Sequence, residues 1–149
     1  INVNLYMVKI HKDNCISLLK KDGPPIIVVA AVQESEAVIN ACVSKGIKVS
    51  GLCDSFKEKT FQPFFGLNVY HTPALPKHFT EARFIFASQH VQECADQLSG
   101  LGYKDFYSPL GLLENYDVNK HKHTIPAAYM KSKLEVCKKT HELYFDKDK

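Results

Sequence analysis

Asp54 ends an apolar run and follows the end of another, Ile26 to Ala31, by about 20 residues. At that separation an acid meets a ribose hydroxyl in a dinucleotide-binding βαβ unit. The same unit places a G-x-G-x-x-G turn after its first strand, so that backbone amides can approach a pyrophosphate. Here the three glycine positions fall on Ala30, Val32 and Ser35. A Val32 side chain occupies space the phosphate needs, and Glu34 adds a like charge beside it. Pyrophosphate and NAD binding are therefore not expected, and no cofactor is assigned. Helix-start amides, Gln33 and a Ser35 hydroxyl still suit a neutral or singly charged ligand, such as a sugar or a nucleotide-sugar.

Other residues of chemical type fall into weaker patterns. Ser88, Gln89 and His90 follow an apolar run, so they stand where a ligand can be met, although a serine there is also a helix cap. Asp54 likewise has two readings, ribose acceptor or cap of the loop beginning at Ser55. His121 and His123 form a His-x-His pair flanked by Lys120 and Lys122, which disfavour a cation, and no metal site is assigned. Cys137 and His141 lie four apart on one helical face, where packing is the ordinary use. No Ser-His-Asp or paired-carboxylate arrangement emerges, and no catalytic residue is assigned; only His90 or Asp54 is placed to offer an acid or base.

A chain of 149 residues with 45% hydrophobic residues suits one buried core and is small for two. Its net charge of +3 comes from scattered lysines, without the basic and aromatic interleaving of a nucleic-acid surface. Five dispersed cysteines fit core thiols of a reducing compartment, so the expected location is cytoplasmic. No segment approaches a membrane span of about 20 apolar residues, and Ile1 to Lys20 lacks a signal-peptide pattern.

The elements that must position these residues alternate along the chain. Residues 1–25 form an arm, Asn2 to Ile10, and a short helix capped at Asp13 or Asn14 and ended by Gly23, Pro24 and Pro25. Residues 26–110 form the core: strands at Ile26 to Ala31, Ile47 to Cys53, Asn68 to His71, Arg83 to Ala87 and Asp105 to Tyr107. Helices fall at Glu34 to Lys45, with Gly46 as its left-handed cap, and at the stripe Val91, Cys94, Ala95 and Leu98. Phe56 to Gly66 reads as a loop. Residues 111–149 hold a loop and a final helix, Pro126 to about Phe145, whose Met130, Leu134, Cys137 and Tyr144 make a stripe suited to pairing with a second copy or a following domain. The continuously apolar Ile26 to Ala31 belongs at the centre of a mainly parallel sheet. The expected fold is a small, doubly wound, Rossmann-like α/β domain with an additional C-terminal helix, and any ligand belongs at the carboxyl ends of its strands.

The stretches Ile26 to Ser35, Gly51 to Asp54, Gly66 to Val69, Phe84 to Ser88, Gln97-Leu98 and Leu101-Gly102 resemble the Rossmann-like domain that precedes FkbM-type methyltransferase domains. They are also similar to the opening unit of sugar O-acyltransferases. The resemblance covers roughly Ile26 to Tyr107 and implies an accessory domain of a sugar- or glycan-modifying protein, with Lys133 to Phe145 as a linking helix to a domain outside this chain. Two functions follow as expectations. One is a non-catalytic module for substrate recognition or subunit pairing; the alternative is a nucleotide- or sugar-nucleotide-binding enzyme domain.

Overall fold

A computed structural model describes residues 9–120 and 126–146, with side chains to residue 143. Most of the expected arm, the His121 and His123 pair and the side chain of Tyr144 lie outside the described residues. Six strands form one sheet: β1 (Ile10–His11), β2 (Ile26–Val29), β3 (Gly51–Asp54), β4 (Val69–His71), β5 (Arg83–Phe86) and β6 (Phe106–Tyr107). Their order is β1-β6-β5-β2-β3-β4, and every pairing is parallel. The fold is thus the doubly wound, Rossmann-like α/β domain that the alternation of elements demands. β2 lies between β5 and β3, with Val28 opposite Ile85 on one side and Leu52 on the other.

The period-two geometry of β2 explains its unbroken apolar run. Ile26 and Val28 join one core, Ile27 and Val29 the other, so neither face is left for water. The first core is covered by α1 (Cys15–Lys20), α2 (Gln33–Ser44), α4 (Leu110–Leu113) and α5 (Ala127–Asp146). The second is covered by α3 (Val91–Gly100), through Val91, Ala95 and Leu98, and by Leu75 of the 3-10 segment Thr72–Lys77. Residues from all three expected stretches of the chain share the first core, Leu19, Val38 and Leu134 among them.

Several local outcomes differ from the sequence reading. Asn14 precedes α1 in the left-handed conformation with φ 59° and makes no side-chain cap; the Ser17 hydroxyl instead donates to its carbonyl at 3.1 Å. The carbonyls at the end of α1 are met from across the fold by the largely buried Arg83. Its guanidinium donates to Leu18 at 3.3 Å, Lys21 at 3.1 Å and Pro24 at 2.8 Å. A cation at a helix C-terminus also opposes the helix dipole favourably. α2 ends as expected at Gly46, whose φ of 75° allows the amide of Ile47 to reach the Cys42 carbonyl at 2.8 Å and that of Gly46 to reach Val43 at 3.1 Å. This wrap takes up Ile47, which is why β3 starts later than the apolar run.

Among the described residues, the α5 stripe expected to seek a partner is already covered. Met130, Leu134, Cys137 and His141 are buried, and the helix packs on α2 of its own chain. The small helix α4, absent from the sequence reading, places fully buried Leu112 and Leu113 in the same core.

Candidate functional site

The turn after β2 is built by side chains rather than by glycines. Asp54, at the end of β3 and only 3% exposed, accepts the Ala31 amide through Oδ2 at 2.9 Å and the Phe56 amide through Oδ1 at 2.8 Å. The ammonium of Lys59 stands 3.8 Å from Oδ2 and donates to the Ala31 carbonyl at 3.1 Å. Each carboxylate oxygen thus accepts one backbone amide, and through Phe56 the side chain caps the loop beginning at Ser55. Ser35 is fully buried; its hydroxyl accepts the Val32 amide at 3.3 Å and donates to the Ala30 carbonyl. The hydroxyl expected to meet a ligand instead closes the first turn of α2.

A cleft of about 500 Å³ opens where the carboxyl ends of β2 and β5 diverge, the switch point of the sheet. Its floor comes from the turn into α2, with Val32, Gln33 and Glu34, and from the turn after β5, with Ser88, Gln89 and His90. These two turns bring together every expected site residue except Ser35 and Asp54, which lie beneath. The cleft also takes walls that the sequence reading did not assign. One lip carries Lys59, Phe64 and Phe65 from the connection between β3 and β4, and Tyr129 and Lys133 from α5 complete the lining. Phe64 and Phe65 meet edge-to-face at 4.7 Å, in a tight reversal where Phe65 and Gly66 both take positive φ and Phe64 and Leu67 exchange backbone hydrogen bonds. Adjacent aromatics between Pro63 and Gly66 were the available signal for that lip. Tyr129 and Lys133 had none, since they are far away in sequence.

The turn after β5 is similarly fastened. The Ser88 hydroxyl accepts the His90 amide at 3.0 Å, and the exposed His90 ring stands 3.6 Å from Glu93. Behind it, α5 is pinned to the strand end. The Cys137 thiol donates to the Ala87 carbonyl at 3.2 Å, and His141 Nε2 donates to the Ser88 carbonyl at 3.1 Å. Burial raises the Cys137 thiol to about 12 and lowers His141 to about 4, so at neutral pH the first stays a thiol and the second stays uncharged. The other cysteines are raised by burial as well: Cys15 and Cys94 to about 11, Cys42 and Cys53 to about 12. None is a poised nucleophile.

The cleft is lined by aromatic faces, amide side chains, and both signs of charge. Among the described residues no cluster of three or more His, Cys, Asp or Glu is placed to hold a metal, and no helix is long and apolar enough to cross a membrane. Comparison with known proteins returned no match to a family model, a curated protein or a solved structure. The class that fold and cleft define is a Rossmann-like α/β domain with a ligand-sized opening at its switch point.

Proposed function

We propose that this chain is a non-catalytic, Rossmann-like recognition domain of a sugar- or glycan-modifying protein, as its resemblance to the domain preceding FkbM-type methyltransferases implies. Its cleft takes a hydroxyl-rich ligand such as a sugar or nucleotide-sugar. The observation that carries this reading is the make-up of the cleft: the Gln33 and Gln89 amides stand in the same opening as Phe64, Phe65 and Tyr129. Amides satisfy hydroxyls, and aromatic faces cover the apolar side of a sugar ring. A pyrophosphate is poorly served, because Val32 fills the turn and the Ala31 amide is already held by Asp54.

Calorimetric titration against free sugars, UDP-sugars, NAD, coenzyme A and S-adenosylmethionine tests the proposal. A sugar or UDP-sugar is expected to bind, with affinity reduced about tenfold in Gln89→Ala, the loss of one well-made hydrogen bond. NAD is expected not to bind. Micromolar NAD affinity, or no sugar binding in any form, overturns the proposal; the first result would favour the enzyme-domain alternative.

A further inference from the structure

Among the described residues, the exposed phenylalanines gather at one place, the lip beside the cleft. Phe56 and Phe61 bracket the 3-10 segment Lys57–Phe61 and are 61% and 72% exposed; Phe65, in the reversal that follows, is 45% exposed. All three surround Lys59. Its ammonium lies 5.9 Å from the centre of the Phe56 ring. Lys59 also lines the cleft together with Phe65, and an adjoining opening of about 350 Å³ together with Phe61. A loose loop would turn such rings inward, away from water. This one is fastened with them outward. Lys59 is held at Asp54 and the Ala31 carbonyl, and Phe64 and Leu67 pack on the first core. Phe65 takes φ 50°, a costly backbone for a bulky residue.

We propose that this lip docks on an anionic membrane surface, with Phe56, Phe61 and Phe65 entering the boundary between headgroups and acyl chains. The spacing of the rings selects a bilayer over a protein partner. Exposed Lys57, Glu58 and Gln62 lie between them in the chain, and no ring contact joins any two of the three. A protein partner needs a fitted pocket for each ring, whereas a bilayer admits each one independently. Residues 55–67 also hold no Trp, Tyr or Arg, the side chains that dominate protein–protein hot spots. Charge selects an anionic surface. Exposed Lys57 and Lys59 stand among the rings against the one exposed acid of the lip, Glu58, and Lys133 lines the same cleft. Glu34 and Glu36 of the cleft are buried, and the chain as a whole carries +3. This attachment goes beyond the sugar-recognition reading and does not depend on it.

The test is flotation of the intact chain with vesicles of phosphatidylcholine and phosphatidylserine in equal parts, and with vesicles of phosphatidylcholine alone. The chain is expected to float with the mixed vesicles and less with phosphatidylcholine, and added salt should narrow the difference. Phe56→Ser combined with Phe61→Ser should lower partitioning about tenfold or more, because two rings no longer leave water. Neither residue lines the cleft assigned to sugar, so the two readings fail separately. Val43→Ser removes a comparably exposed side chain near the end of α2 and should change nothing. All these side chains are exposed, so the variants should melt close to the parent, which reports that they fold. Equal flotation with phosphatidylcholine alone, an equal loss in Val43→Ser, or flotation that survives loss of the phenylalanine pair overturns the proposal. Failure of the intact chain to float with the mixed vesicles overturns it as well, and would assign the exposed rings to a protein partner.

Discussion

At the scale of the residue, Asp54 does the work that glycines do in a phosphate-binding turn. It fixes the path of the chain, but through its side chain, holding the amides of Ala31 and Phe56 and standing next to Lys59. Asp54→Asn keeps the shape while placing an amide group against backbone donors, so one bond at least becomes donor against donor. The expected cost is about 2–3 kcal/mol, the range for hydrogen bonds to a charged group, read as a lower midpoint in urea unfolding. An unchanged midpoint would show that the turn holds without the carboxylate. The sequence template puts Val32, Gln33, Ser88, Gln89 and His90 at the strand ends, and all five line the cleft. It could not show which polar groups were already spent. Spacing assigns a position, and only packing shows that the Ser35 hydroxyl and both Asp54 oxygens are turned to the backbone.

At the scale of the element, α5 is held to the sheet by two side chains, and one of them titrates. The unfolded chain protonates His141 near 6.5, whereas in the fold burial lowers it to about 4. Between those values the unfolded state binds the extra proton, so stability is full above pH 6.5 and is lost as pH falls through 4. The shift corresponds to about 3 kcal/mol when fully expressed. Thermal melts from pH 7 to pH 4 should show this decline, and His141→Gln should flatten its His-dependent part; an identical profile in the variant would remove His141 as the cause. The elements themselves were largely legible, because continuous apolar runs and helical stripes are local signals. The short pieces were not. α4 has a single turn, and β1 is two residues that become a strand only by pairing with β6.

At the scale of the whole molecule, Met130, Leu134 and Cys137 of the apolar face expected to join copies are buried within the chain, as α5 lies on α2. Light scattering is therefore expected to return a monomer of 16.8 kDa. A concentration-independent dimer would direct attention to the outward residues Tyr129, Val136 and Leu143, spaced seven apart along α5. The cleft draws its lining from residues as far apart in the chain as Ala31 and Lys133. It exists only when the intervening strands have assembled, and an unfolded chain has no partial version of it. Occupancy and cooperative folding are consequently one equilibrium. A compound that fits stabilises the entire domain by an amount set by its concentration relative to Kd, about 2.7 kcal/mol at a hundredfold excess over Kd, and its melting temperature rises accordingly. The protein thereby reports on its own ligand, and a heat ramp over a compound library can find it without an assay of activity.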